Sequence, residues 1–167
     1  PSYLGATPRG AAAGGVLFAD LGLQLSRGFR ALKVWMAFKT HGVDEIGRLI
    51  AQNVDQIRYL VSLVDAEPSL ERLAPAPLNI CCFRYTAPEL DADSLNAVNQ
   101  EILWRLQESG VALPSHTLLD GKFAIRVANT NQRSRREDFD LLIRTVVELG
   151  RAVHAERRSN LVGTEGA

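Results

Sequence analysis

Long apolar runs are missing from this chain. No stretch approaches the roughly 20 residues that a membrane-spanning helix requires, and no basic segment followed by an apolar one opens it in the manner of a secretory leader. These absences give the expectation of a cytoplasmic protein with no membrane partner. Net charge is missing too: 19 lysines and arginines face 19 aspartates and glutamates. Without a basic excess the chain lacks the electrostatic footprint of a nucleic-acid binder. Cysteine is scarce, with two residues side by side at Cys81 and Cys82. Adjacent side chains of a strand point to opposite faces. A bridge between them would be strained, and a metal site would lack further ligands. The reading is therefore two buried thiols in a reducing compartment.

Catalytic motifs are also absent. The histidines, His41, His116 and His154, show no HExxH spacing and no pairing with a cysteine motif. There is no Gly-x-Ser-x-Gly elbow and no P-loop. Lysine occurs only at Lys33, Lys39 and Lys122. A Schiff-base lysine needs an apolar or cationic setting that depresses its pKa. Lys33 has cationic neighbours but no glycine-rich phosphate cradle, and Lys122 follows a turn, where a solvated lysine is expected. His41 and His154 read as helix-ending imidazoles that complement the dipole.

What is present is a well-ordered alternation of apolar patterns. Residues 1–24, punctuated by Pro1, Gly5, Pro8, Gly10, Gly14 and Gly15, read as a long loop of the kind that serves as a lid, binding loop or linker. A helix is predicted over Ser26–His41, stopped by Gly42. Its apolar residues run nearly all round, so its C-terminal half is expected to be buried. Arg27, Arg30 and Lys33 sit at its start, against the dipole. They are either solvated or ion-paired bases, or a basic helix end near an anion or subunit boundary.

A second helix over Val43–Val64 carries one stripe, including Ile57, Leu60 and Val64. A strand follows over Leu78–Tyr85, with Cys81, Phe83 and Tyr85 on one face. Next come a helix over Asp93–Ser109, capped by Asp91 or Asp93 and ended by Gly110, and strands over Ser115–Leu119 and Phe123–Ala128. Asp120-Gly121 between these strands signals a tight hairpin. Ser134 with Glu137 reads as the capping box of a last helix, whose stripe includes Phe139, Leu142, Val146 and Gly150. From Arg157 the tail is polar and expected to fray. Arg133, Arg135 and Arg136 could form an anion site at that helix start, although a solvated cap neutralised by Glu137 and Asp138 is the simpler account. The fold class is α+β: helices on one face of a small, mainly antiparallel sheet.

Several segments, in order, resemble the pyridoxal-phosphate (PLP) dependent group II amino-acid decarboxylases, which act on aromatic amino acids and histidine. The segment Gln24-Leu25-Ser26-Arg27-Gly28-Phe29-Arg30-Ala31-Leu32-Lys33-Val34-Trp35 resembles the stretch after that family's mobile loop, and Tyr3-Leu4 resembles the loop itself. Asn79-Ile80-Cys81-Cys82-Phe83-Arg84-Tyr85 resembles the core strand of its C-terminal domain. Leu113-Pro114-Ser115, Phe123-Ala124-Ile125-Arg126-Val127 and Ser134-Arg135-Arg136-Glu137-Asp138-Phe139 continue the likeness.

The resemblance implies the C-terminal small domain of a fold-type I enzyme. Residues 1–24 would be the mobile loop or linker, 25–42 a connecting helix, 43–156 the small domain and 157–167 a flexible tail. Tyr3 matches the loop tyrosine implicated in protonating the substrate carbon, and tyrosine rather than phenylalanine there favours decarboxylation over oxidative deamination. Ser26 matches a substrate-pocket position of the neighbouring subunit, where serine goes with phenolic or imidazole side chains; it could equally cap the first helix. Arg27 matches an interface or loop-positioning arginine, and Gly28 departs from an arginine often found beside it. The Schiff-base lysine and the other PLP contacts would lie upstream, so no cofactor-binding residue and no metal ligand is expected in this chain. The implied partners are an N-terminal PLP-binding domain, a second copy in a homodimer with shared active sites, and a small amino-acid substrate. On this reading the 167-residue chain alone is inactive. The alternative is a stand-alone α+β binding or interaction domain derived from a truncated decarboxylase gene.

Overall fold

The computed structural model describes Leu23 and residues 28–164, the last five of these by backbone alone. The chain divides into two units, Pro1–Val43 and Asp44–Ala167.

Among the described residues of the first unit, a helix, α1, spans Ala31–His41. It starts later than the predicted Ser26: Gly28 and Phe29 are non-helical, and Arg30 sits at the N-cap with no side-chain capping bond. Gly42 ends it as expected, its N–H donating to the Phe38 carbonyl at 2.9 Å. The expected burial of its C-terminal half is corrected, because no residue of α1 is buried. A helix that is apolar nearly all round needs cover on several sides, and an 11-residue helix cannot supply that for itself.

The second unit holds α2 (Val43–Ala66), β1 (Leu70–Arg72), β2 (Ile80–Tyr85), α3 (Ala92–Glu108), β3 (Ser115–Leu119), β4 (Lys122–Ala128) and α4 (Arg136–Thr164). The strands form one sheet in the order β1-β2-β4-β3, antiparallel throughout. Register puts Phe83 opposite Ile125, Cys81 opposite Val127 and Leu70 opposite Tyr85. These residues share the face that packs into the core with Ile57, Leu60 and Val64 of α2, Val98, Ile102 and Leu106 of α3, and Phe139, Leu142 and Val146 of α4. Each such side chain contributes about 1.5–3 kcal/mol on burial, so the one-sided stripes of α2, α3 and α4 account for where the helices lie.

The turns follow the local chemistry. Asp120 and Gly121 have φ of 51° and 76°, the two positive values that a type I′ hairpin demands. Asp91 caps α3, its Oδ1 accepting the Ser94 N–H at 2.8 Å. At α4 the cap falls one residue later than the Ser134–Glu137 box. The Arg135 N–H donates to Asp138 Oδ2 at 2.8 Å, while the Ser134 carbonyl is taken by the Gln56 side chain. Helical backbone continues past Arg157 to Thr164.

Three features escaped the sequence pattern. β1 is three residues long, too short to alternate, and exists because Glu71 lies opposite Arg84 and Leu70 opposite Tyr85. Asn99, on the core side of α3, is fully buried. It accepts the Tyr85 N–H at 2.7 Å and donates to the Tyr85 and Leu95 carbonyls at 2.8 Å each. Its amide thus replaces a strand partner where the β2–β4 ladder has ended. Gly150 of α4 faces the Tyr85 ring, and a β-carbon there would overlap it.

Candidate functional site

Tyr3, Ser26 and Arg27 lie outside the described residues. The chemistry of the described ones is built on the face of the sheet away from the core. Along β2 and β4 the residues alternating with the core set are Cys82, Arg84, Ala124 and Arg126. Arg84 is the most buried of them that carries a charge, at 8% side-chain exposure, and its guanidinium meets Glu71 Oε2 at 2.6 Å. Lys122 Nζ meets the other carboxylate oxygen at 2.9 Å. Burial opposes ionisation of Glu71. The hydrogen bonds and charges of Lys122 and Arg84 outweigh it, and the carboxyl sits below its ordinary value. Lys122 remains solvent-exposed, as expected after the hairpin, and in addition pairs with Glu71. It completes a charge triad with a carboxylate, which is not the apolar or cationic setting that activates an imine-forming lysine. Lys33 and Lys39 are exposed on α1.

The thiols behave as read from the sequence. Cys81 is buried in the core and Cys82 is half-buried, both unbridged. Burial pushes the Cys81 thiol up to about 12, and burial also raises Cys82, with Arg126 opposing. Neither offers a thiolate near neutrality.

Two of the histidines have defined partners. His116 stacks on Phe123, with ring centroids 5.1 Å apart. His154 does not end a helix as expected. It lies within α4, with Nε2 3.2 Å from Glu89 Oε1. Arg136, one of the three basic residues near Ser134, lies over the Tyr59 ring at 5.0 Å, and Tyr59 donates to Asp140 at 2.6 Å. An amide network holds the loop before α4. Asn129 donates to Gln56 Oε1 at 2.7 Å, and Gln52 donates to the Gln132 carbonyl at 3.1 Å. The helix start is thus tied down by α2 rather than shaped as an anion cradle.

Among the described residues no cluster of three His, Cys, Asp or Glu could hold a metal ion, and no helix is long and apolar enough to cross a membrane. Among the described residues no nucleophile is activated by an adjacent base, and no uncommitted lysine sits in an apolar pocket.

No family model matches the chain. Individual proteins do. An aromatic-L-amino-acid decarboxylase of Bacillus atrophaeus is 33% identical over 126 residues, covering 75% of this chain and 26% of the relative. Tyrosine decarboxylase 2 of Arabidopsis thaliana is 33% identical over 113 residues, covering 68% and 21%. Among solved structures, the Oryza sativa TDC with PLP and tryptamine superposes with a TM-score of 0.68 at 26% identity, over 83% of this chain and 29% of that one. The 4-hydroxyphenylacetaldehyde synthase of Rhodiola rosea superposes with a TM-score of 0.73 at 25% identity, over 82% and 29%. The chain spans about a quarter of the length of the curated relatives it matches.

Proposed function

The chain belongs to the PLP-dependent group II amino-acid decarboxylase family and corresponds to its C-terminal portion, and from that premise we propose that its parent enzyme removes CO2 from an aromatic or imidazole L-amino acid to give the amine. The observation that carries this is the joint match in sequence and fold: 33% identity over 126 residues to a decarboxylase, with an antiparallel α+β domain of the family's form.

The described residues do not fit the cofactor. Lys122 is committed to Glu71 and the other lysines lie exposed on α1, so the imine-forming lysine and the phosphate contacts belong elsewhere in the parent, in an N-terminal PLP-binding domain. The 167-residue chain by itself is then inactive. Its assigned part is supportive. Residues 43–156 form the small domain, residues 25–42 connect it, and residues 1–24 close over a site shared between two copies of the enzyme. Loss of CO2 leaves a carbon that must gain a proton, and the Tyr3 hydroxyl is assigned that donation. Ser26 lines the pocket of the neighbouring subunit, where a hydroxyl suits a phenol or imidazole and crowds an indole. Arg27 positions the loop at the subunit boundary. The two unbridged thiols suit a reducing, cytoplasmic setting.

A second reading is favoured by one observation, the likeness to an aldehyde synthase: the same domain accompanies a different outcome. The assignment of Tyr3 decides between them. In the parent enzyme, Tyr3→Phe is expected to divert product from amine to aldehyde with substrate turnover retained, dissolved dioxygen serving as the oxidant and ammonia and hydrogen peroxide leaving with the aldehyde. Amine as sole product from the variant would remove Tyr3 from the mechanism. For the chain alone, the visible spectrum with added PLP is expected to show no imine band. A band would return the cofactor lysine to this chain.

A further inference from the structure

The sheet ends in β1 on one side and β3 on the other, and the two edges are not alike. β1 is three residues long and carries Glu71 and Arg72. Shortness and charge are the usual devices by which an edge strand avoids pairing with another chain. β3 has neither. It is the five-residue run Ser115-His116-Thr117-Leu118-Leu119, without lysine, arginine, aspartate, glutamate or proline, and its register against β4 runs unbroken by any bulge.

That register says which backbone groups of β3 are free. Leu119 and Lys122 close the tight turn and form a hydrogen-bonded pair. Bonded and non-bonded pairs alternate along an antiparallel ladder. Ser115, Thr117 and Leu119 therefore turn their N–H and C=O toward β4, and His116 and Leu118 turn theirs toward the open edge. Among the described residues no bond outside the ladder uses these groups. Both side chains are exposed, Leu118 at 65%.

A second copy of the same strand meets these demands. Set antiparallel about a two-fold axis at Thr117, His116 of each copy comes opposite Leu118 of the other. Both are hydrogen-bonded pairs in that register, so every free edge group of both strands finds a partner. On one face Leu118 is covered by the other copy's imidazole. On the opposite face Thr117 meets its own counterpart, and paired threonines are favourable cross-strand neighbours. With no charge on the strand, the axis brings no like charges together. We propose that β3 is a self-association edge, through which two copies of this chain join their sheets into one continuous antiparallel sheet paired about Thr117. This rests on β3 alone, and neither on the decarboxylase reading nor on the shared-site dimer that it implies. A two-strand seam is smaller than a standard protein interface, so the association is weak and reversible.

Sedimentation equilibrium over micromolar to millimolar concentrations tests it, in the full chain with Phe29, Trp35 and Phe38 replaced by serine to remove association through α1. A monomer–dimer equilibrium is expected. Leu118→Lys should weaken it by about tenfold or more, and Ile50→Lys, at an exposed apolar site on α2, should leave it unchanged. The register is read by oxidation in a Cys82→Ser background. Opposed non-bonded residues have Cα atoms about 4.5 Å apart, within reach of a disulfide, so Thr117→Cys should give a covalent dimer. Ser115→Cys, opposite Leu119 of the other copy, should not. Circular dichroism checks that each variant is folded. If Leu118→Lys unfolds, the contrast between the two cysteine variants decides. A monomer throughout, whether or not an unrelated extended peptide adds to β3, overturns the proposal. So does a dimer insensitive to Leu118→Lys, or equal crosslinking at the two positions.

Discussion

α1 and α2 follow one another across Gly42 and both are rich in apolar residues, yet the fate of that surface differs completely. In the C-terminal half of α2 the apolar residues keep to one side: Ile57, Leu60 and Val64 are buried, while Asp55 and Arg58 opposite them are exposed. In α1 Trp35 is 59% exposed and Met36 54%, and nothing is buried. The amount of hydrophobic surface is therefore a poor guide to burial, and its angular distribution is a good one. A one-sided stripe can be satisfied by a single neighbouring layer. A helix apolar nearly all round calls for cover from more than one direction.

The predictions probe that contrast from the packed side outward. The largest effect is expected at Asn99. Asn99→Leu keeps the volume but strands the buried N–H and carbonyl of Tyr85, each costing about 1–3 kcal/mol, so the denaturant midpoint should fall by the equivalent of about 2–5 kcal/mol. A change within about 0.5 kcal/mol would mean that the amide does not serve as the missing strand partner. Gly150→Ala comes next. Alanine favours the helix by about 1 kcal/mol, but the Tyr85 ring must move, and overpacking costs typically about 1–3 kcal/mol. Net destabilisation in thermal melts is expected, and a stabilised protein would refute the close approach.

Glu71→Gln is expected to cost about 1–2 kcal/mol. This is less than the roughly 3–5 kcal/mol of breaking a fully buried pair, because the carboxylate is one-third exposed to solvent. The sign of its pH dependence follows from the lowered native value. The triad's stabilisation is complete above the ordinary carboxyl value of 4.5 and is lost as pH falls through the lower, folded-state value. The parent chain should thus lose stability over that acid range more steeply than the variant, in unfolding midpoints measured against pH. Parallel pH profiles would show that the triad does not couple to folding.

The smallest effect on stability is expected in α1. Replacing Phe29, Trp35 and Phe38 together by serine should move the unfolding midpoint of the α+β domain by less than about 0.5 kcal/mol, while markedly lowering self-association of the isolated chain in sedimentation. Loss of domain stability, or unchanged association, would show that α1's apolar surface is not an exposed, self-associating patch.

Much of this was open to inspection in the chain. The alternation Cys81-Cys82-Phe83-Arg84-Tyr85 fixes which side chains share a face, because strand geometry has a period of two. Asp120-Gly121 fixes a hairpin because few residue pairs tolerate two positive φ values. Asp91 and Gly110 bound α3 for equally local reasons. What failed was non-local. Ser134 looked like a cap, but Gln56, 78 residues away, takes its carbonyl and the helix opens one residue later. Lys122 read as a surface lysine without its ion pair, because Glu71 is 51 residues distant in sequence. The proposed Tyr3, Ser26 and Arg27 came from family likeness, which geometry among the described residues does not address.

The division has one physical origin. Periodicity, capping and turn stereochemistry depend on neighbours within a few residues, so the amino-acid sequence by itself determined the helices, the main strands, the hairpin and the α+β class. Pairings between distant segments depend on how the chain returns upon itself. Only the tertiary structure decided that Glu71 would gather Arg84 and Lys122, that Asn99 would finish a strand, that Gly150 would admit the Tyr85 ring and that β3 would lie at an edge of the sheet.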